Sequence, residues 1–447
     1  MIQVAEEKDI YLSHFARLEA ELSAQAPSWL HSIRQAAMDR FAQLGFPTTR
    51  KEDWRFTNVA PIVKIPFQLT GSDSKPVIAQ TLQHFTFGQW VCHQIVFING
   101  HFSQELSSLG SLPKGVLVQG LGTILTSDPE RLLPHLARYA SWEEHAFVAL
   151  NTAFIEDGAF VYIPKGMVVE DPIHLLFIST GDQQPTISHP RTLIVAEANS
   201  QAKIVQSYVG LEGSVYFTNA VTELEAGENA VIDHYKLQRE SVNAFHIATL
   251  QVHQERSATV SNFSLSLGGA LARHDVNVVL DGEGAECTLN GFYVVRGRQH
   301  VDHHTRIEHA KPHGTSREFY KGILDEHARG VFDGTIVVQP GAQKTDAQQT
   351  NKNLLLSTDA LVNTNPRLQI FADDVKCSHG ATIGQLDADA IFYLRSRGLS
   401  LTTAREILTY AFANDITSRI KIGPLRTGLE CLMLTRLPQG QRIMEGL

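Results

Sequence analysis

The 447-residue sequence has only four cysteines, and none of them forms a C-x-x-C pair. Thiols so few and so scattered exclude a disulfide framework and argue against a structural zinc site or a thioredoxin-type motif. An excess of basic residues is missing as well, because 38 Lys and Arg stand against 47 Asp and Glu, for a formal net charge of −9. This balance argues against nucleic acid as the main partner, since binding to a phosphate backbone needs clustered positive charge.

Targeting, membrane and nucleotide motifs are also missing. Residues 1–9 carry three acids and a lysine in place of a basic, then apolar, signal sequence. The charge-free stretch at 76–104 is interrupted throughout by Gln, His and Asn, which argues against a membrane span. We find no G-x-S-x-G, G-x-x-x-x-G-K-[ST] or G-x-G-x-x-G pattern after a strand. We therefore expect a cytoplasmic protein with no membrane partner and no nucleotide site of its own.

The remaining composition, 43% hydrophobic and 19% charged, is typical of a folded chain, and the length allows roughly three domains. The apolar residues at the start repeat with helical spacing, from Tyr11 to Leu22 and from Leu30 to Leu44, before Gly45 and Pro47. We expect an N-terminal helical domain at 1–75, a β-helix core with an irregular leading portion at 76–386, and a C-terminal helical domain at 387–447.

The core is predicted from an internal repeat. Strand–turn–strand units recur from about residue 192, and the first alanines after their turns are 28, 28 and 27 residues apart: Ala202, Ala230, Ala258 and Ala285. A nearly constant period indicates units that stack on one continuous core. No helical pattern separates the strands, so the repeat favours a mainly β fold, a right-handed parallel β-helix, over a stacked β-sandwich.

The C-terminal region returns to helical patterns. Asp389 is a candidate N-cap for a helix that ends before Gly398, and residues 403–406 (TARE) resemble a capping box. A third helix is predicted after Pro424, with Leu425, Leu429 and Leu432 on one side. These helices either cap the solenoid or serve as a docking site for another protein.

A cluster of histidines is the first candidate for chemistry: His300, His303, His304, His309 and His313. A metal needs ligands that converge. The cluster has helical spacings but lies in a run that alternates like a strand, which would divide it between two faces. Surface or corner histidines are therefore the favoured interpretation, and a metal site the alternative.

The repeat also assigns the cysteines. Position +2 after each turn is Ile204, Ile232, Val260 and Cys287, so Cys287 is predicted to lie in the core. Cys92, in a strand-like run, and Cys431, in a leucine-rich helix, are also predicted to be packing residues.

Cys377 differs because His379 follows two residues later. On a strand both side chains leave the same face, with Cβ atoms about 7 Å apart. Thiolate and imidazole are ligands for iron, zinc or copper, and an imidazolium lowers a neighbouring thiol pKa. By the repeat alone Cys377 is equally a core residue. As ligands, the pair would make half a site, to be completed by a neighbouring strand or another chain.

Several longer motifs resemble the SufD family of iron–sulfur cluster assembly proteins, and together they span most of the chain. They are residues 47–58 (PTTRKEDWRFTN), His309 with 316–322 (SREFYKG), 332–334 (FDG), 343–347 (QKTDA), 353–356 (NLLL), 373–380 (DDVKCSHG) and 392–398 (FYLRSRG). The paralogous SufB family shares the C-terminal part. The RKEDWR element and the shortage of cysteines resemble SufD.

The resemblance implies the three-part organisation already described and a non-enzymatic subunit. It implies pairing with a SufB-type paralogue, binding of a SufC-type ABC ATPase through the C-terminal helices, and a transient iron–sulfur cluster or iron at the paralogue interface. It places Cys377 and His379 near that interface as tentative metal ligands, and it associates the protein with iron acquisition. It also allows a homodimer when the chain is isolated.

Other functions stay open at this point. A 28-residue repeat alone also allows a carbohydrate-active β-helix enzyme. The histidine cluster would suit a metal-dependent enzyme, and the chain could be a SufB-type scaffold itself.

Overall fold

The computed structural model describes residues 2–22, 26–70, 85–86, 90–181 and 184–435. It is mainly β, with a long parallel solenoid and helices near both ends of the chain. The predicted β-helix with helical flanks is thus confirmed. Part of the stretch at 76–104 and the last twelve residues lie outside the described residues.

The first strands are short and the later ones run to about ten residues. They are β1 (Gln68–Leu69), β2 (His93–Ile98), β3 (His101–Ser108), β4 (Leu117–Gly120), β5 (Gly158–Ile163), β6 (Ile173–Ser179), β7 (Thr186–Ser188), β8 (Arg191–Ala196), β9 (Gln201–Gly210), β10 (Tyr216–Ala226), β11 (Val231–Arg239), β12 (Phe245–Gln254), β13 (Thr259–Ser266), β14 (Leu271–Leu280), β15 (Glu286–Val295), β16 (His300–His309), β17 (Thr315–Leu324), β18 (Arg329–Val338), β19 (Asp346–Leu355), β20 (Leu361–Ile370) and β21 (Lys376–Gly384).

The helices are α1 (Ile2–Leu22), α2 (Ser28–Leu44), α3 (Ala60–Val63), α4 (Leu121–Ser127), α5 (Ala146–Ala153), α6 (Ala388–Ser396), α7 (Leu401–Thr417) and α8 (Gly423–Thr435).

From β8 onward the strands divide by parity into two sheets. Even-numbered strands from β8 to β20 pair in order in one sheet, and odd-numbered strands from β9 to β21 pair in order in the other. All these pairings are parallel, and each strand therefore lies one turn from the strand two numbers ahead. Side chains that point inward alternate with outward ones and form columns along the solenoid axis.

A left-handed residue shapes each corner that precedes an odd strand from β9 to β19. Positive φ angles occur at Asn199, Asn229, Ser257, Gly284, His313 and Lys344. Asn and Gly adopt this conformation at low cost, which explains the polar turns in the sequence. The residue after each corner is small and buried, for example Ala230, Ala258 and Ala285, because it turns into the core.

The register corrects the first unit of the predicted repeat. Ile232 pairs with Ala202, so Ala202 and not Ile204 occupies the column that continues to Val260 and Cys287. The first residues of β9, β11, β13 and β15 are 30, 28 and 27 residues apart. The two additional residues lie in the connection between β9 and β10, which a spacing between alanines does not reveal.

The opening helices pack on the solenoid through their apolar sides. Tyr11 and Phe15 of α1 and Phe41 of α2 share a core with α5 and with Phe217 and Phe245 of the even sheet. Helix α2 ends as expected, where Gly45 at φ 61° donates its N–H to the Phe41 carbonyl. The burial of this face stabilises the start of the chain on the β-helix.

The C-terminal helices are confirmed, with corrected caps. Asp387, not Asp389, accepts the backbone N–H groups that begin α6. Ser400 caps α7, which starts before the predicted capping box, and the side chain of Glu406 is buried. Helix α8 buries Leu425 and Leu429 against the odd sheet, as its spacing predicts. Across the described ranges, we find no helix long and apolar enough to cross a membrane.

Candidate functional site

The predicted pair, Cys377 and His379, lies on β21, the last strand of the odd sheet. Both side chains leave the same face of the strand, opposite Ala347 and Gln349 of β19. Cys377 is half-buried and His379 is exposed. The two residues therefore lie where the interior of the solenoid meets the solvent.

Cys377 continues the column of Cys287. The register runs from Cys287 through Ser316 and Ala347 to Cys377. Its side chain packs against the main core, and burial raises the pKa of the Cys377 thiol, the opposite of the lowering expected from an imidazolium neighbour. The thiol thus packs inside the last turn of the solenoid and remains partly accessible to solvent. A metal would bind it by displacing its proton.

His379 continues a second column, which is polar. It follows Glu318 and Gln349, both buried, and Gln349 Nε2 donates to Glu318 Oε2 at 2.7 Å. Burial raises the pKa of Glu318 from 4.5 to about 7. Neither Glu318 nor Gln349 was predicted from the sequence. The repeat could have identified them: position +2 after the turns contains Cys287, and position +4 after the later turns contains Glu318, Gln349 and His379 in succession.

The end of the solenoid around this pair exposes apolar side chains. Phe371, directly after β20, is 61% exposed and Ile383 of β21 is 50% exposed, and Leu361 and Ile370 of β20 are exposed as well. In the described structure β20 pairs only with β18, and β21 only with β19. Each strand therefore presents one unpaired edge of backbone N–H and C=O groups. We call this surface, formed by β20, β21 and Phe371, the open end.

The histidine cluster is divided between two faces by β16, as predicted, but the interpretation as surface histidines is wrong for two members. His303 and His309 point into the core, and burial lowers the pKa of His303 to about 3 and of His309 to about 4. His313 is a corner residue at φ 60°, as expected. His304 pairs with Asp302 at 3.0 Å. Within the described ranges no group of three or more His, Cys, Asp or Glu residues is arranged to hold a metal.

The other cysteines give a mixed result. Cys287 is 2% exposed, which confirms its assignment to the core. Cys92 is partly buried, and burial raises its thiol pKa to about 11. The prediction for Cys431 is wrong, because this residue lies on the exposed side of α8 while Leu429 and Met433 face the core.

The 47–58 motif fixes the N-terminal segment on the even sheet. The Arg273 guanidinium lies 3.8 Å from the centre of the Trp54 ring and donates to the Asp53 carbonyl and to Asp302. Thr57 donates to the same Asp302 carboxylate. The conspicuous RKEDWR element therefore has a structural role in this arrangement. It also reaches the edge of the open end, because Arg367 of β20 donates to the Glu52 carboxylate at 3.1 Å.

Comparisons with known proteins agree with this architecture. Residues 177–412 match the model of the SUF system FeS cluster assembly SufBD core domain, and residues 5–175 match the SufBD protein N-terminal region. The chain is 38% identical to an iron–sulfur cluster assembly SufBD family protein of Synechocystis sp., over 91% of each chain. It is 29% identical to the iron–sulfur cluster assembly protein SufD of Escherichia coli, over 95% of this chain and 96% of that protein.

A more distant relative is the iron–sulfur cluster assembly protein SufB of Bacillus subtilis, 21% identical over 89% of this chain and 87% of that protein. SufB-type and SufD-type proteins thus match nearly the same span. Both family models and the higher identity to a SufD-type protein confirm the resemblance found in the motifs. The chain belongs to the SufBD family of iron–sulfur cluster assembly proteins and is of the SufD type.

Proposed function

We propose that this chain is a non-catalytic subunit of a cytoplasmic SUF-type complex and that it pairs with a SufB-type paralogue through the open end. A nascent iron–sulfur cluster, the cargo of the complex, would be built between the two chains. The observation that carries the proposal is the position of Cys377 and His379 beside an exposed, apolar strand edge.

The open end is suited to strand pairing. Long, flat, apolar edge strands are a template for another chain, and stable proteins cover or charge them. Here β20 and β21 span ten and nine residues and expose Leu361, Ile370 and Ile383. A paralogue of the same family would end its own solenoid in the same way, so two such ends can join their sheets.

The paralogue would also complete the metal site. Cys377 and His379 supply a soft sulfur and an imidazole, two ligands of the kind that iron and its sulfur clusters take. Two ligands on one strand leave half of a four-coordinate site open to a second chain. His379 would serve as ligand or proton carrier, and Cys377 would lose its proton on binding. The proposed function includes assistance in iron acquisition, to which we assign no further residue.

The C-terminal helices would bind a SufC-type ABC ATPase, which supplies the ATP chemistry. Helix α7 packs on β15 and β17, whereas no residue of α6 is fully buried and Phe392 is 74% exposed. Exposed aromatic residues on a short helix are typical anchors for a partner protein. Movement of the bound ATPase subunits would strain the paired solenoids and open the cluster-building site.

Co-purification from the native cell tests this proposal. The wild-type chain should recover a SufB-type paralogue and an ABC ATPase. Phe371→Lys with Ile383→Lys should lose the paralogue, because two desolvated charges oppose pairing at the edge. Val242→Lys is the control, because Val242 is also an exposed apolar residue but lies between β11 and β12. Recovery of only a second copy of this chain would contradict the proposal.

A further inference from the structure

A buried polar column ends at the exposed His379. Glu318 of β17 pairs with Gln349 of β19, and Gln349 pairs with His379 of β21. Neighbouring strands of a sheet are about 4.8 Å apart, so each side chain lies one strand spacing from the next. The neighbouring inward column, through Tyr320 and Asn351, ends at Ala381, which has no polar side chain.

The amide of Gln349 is held in one place. Its Nε2 donates to Glu318 Oε2 at 2.7 Å. From the opposite sheet Gly334 leaves room for this amide, because a Cβ atom built on Gly334 would lie 2.2 Å from Gln349 Nε2. The glycine of the 332–334 motif is therefore explained by the side chain that it faces.

The other end of this amide has no partner. Gln349 Oε1 is buried and accepts no hydrogen bond within the described part of the chain. A buried carbonyl oxygen without a donor costs free energy, which makes a donor from the adjacent side chain favourable. The next side chain in the column is the imidazole of His379, whose neutral ring carries one N–H.

The carboxylate of Glu318 fixes which way the amide points. Burial raises the pKa of Glu318 to about 7, so above neutral pH its carboxylate only accepts hydrogen bonds. Gln349 must then present its N–H group to Glu318 and its carbonyl oxygen to the opposite side. Without the charge on Glu318 either orientation of the amide would be possible.

We propose that Gln349, oriented by Glu318, positions the ring of His379 by accepting a hydrogen bond from one ring nitrogen. The other ring nitrogen then carries no proton and is available as a metal ligand. Residues behind a ligating histidine commonly select its tautomer in this way. The inference rests on the proposed function only in its use of His379 as an iron ligand.

Nitrogen NMR of the full-length chain tests this positioning. The ring nitrogens of ¹⁵N-histidine report the ratio of the two neutral tautomers, and the signals of His379 are assigned by their loss in His379→Asn. At pH 8.5 we expect Gln349→Met to change this ratio by about fivefold, the effect of one hydrogen bond. Glu318→Gln and Gly334→Ala should change it in the same direction by less. Asn351→Leu, in the neighbouring column, is the matched control and should leave the ratio unchanged.

Two results would overturn the proposal: an unchanged ratio in Gln349→Met, or an equal change in Asn351→Leu, which would indicate general loosening of the last turn. An unchanged ratio in Glu318→Gln would overturn the role of Glu318. The measurement needs neither iron nor a partner. A failure of the proposed function, seen as normal cluster formation without Cys377 and His379, is therefore distinct from a failure of this inference.

Discussion

The substitution Glu318→Gln should remove a pH-dependent cost to stability. Glu318 is fully buried without a cation beside it in the described structure, and burial raises its pKa from 4.5 to about 7. At about 1.4 kcal/mol for each pKa unit, the shift corresponds to about 3 kcal/mol. Glutamine has the same shape and can still accept the hydrogen bond from Gln349.

The sign follows from the protons bound in each state. Between pH 4.5 and 7 the folded chain keeps the proton of Glu318, whereas the unfolded chain releases it. The stability contribution of this group is therefore complete below pH 4.5 and is lost as the pH rises to 7. Native and variant proteins should be similar in stability near pH 5, and the variant should be about 3 kcal/mol more stable at pH 8.

Urea unfolding of both proteins from pH 5 to pH 8 measures this difference. Glu286→Gln is the matched control, because Glu286 is exposed on the neighbouring strand β15 and its loss reports the effect of one surface charge. Curves of native protein and Glu318→Gln that run parallel over the whole range would refute the assignment of Glu318 as a buried, neutral acid.

Three further outcomes are expected. Gly291→Ala should abolish folding, seen by circular dichroism, because the added Cβ would lie 1.9 Å from a ring carbon of the tyrosine on the next turn; Gly341→Ala, with open space around it, should fold normally. Under native conditions a maleimide should label Cys431 rapidly and leave Cys287 unlabelled, and equal labelling would contradict the burial described. Trp54→Ala should weaken the attachment of the N-terminal segment by about 2 kcal/mol and speed its release by limited proteolysis, and an unchanged cleavage rate would show that this stacking contributes nothing.

The sequence predicts most of the solenoid because each turn repeats the same physical requirements. A left-handed corner residue, a small buried residue and alternating strands recur in the units from β9 to β19, so a period is visible without a structure. The register is harder to predict. Because of the two additional residues between β9 and β10, Ile204 does not lie in the column of Ile232. Only the strand pairing, which places Ala202 beside Ile232, shows this.

The direction of individual side chains depends on that register. His303 and His309 are buried because β16 turns these positions inward, which an alternating pattern alone does not specify. Cys431 has leucine neighbours, but the helix places it on the side away from the core. Cys377 and His379 could be predicted as a pair from their spacing, whereas Gln349 required the register of β19 and β21.

The central claim is that Cys377 and His379 take part in cluster assembly at the open end. The most direct measurement is cluster formation, followed by its visible absorbance, in a complex reconstituted with the SufB-type paralogue and the ABC ATPase. The double variant Cys377→Ala, His379→Ala should assemble the complex but lose most cluster formation. A control pair at exposed positions away from the open end and the C-terminal helices, Val242→Ala with His31→Ala, should match the wild type. Normal cluster formation by the first variant would contradict the account.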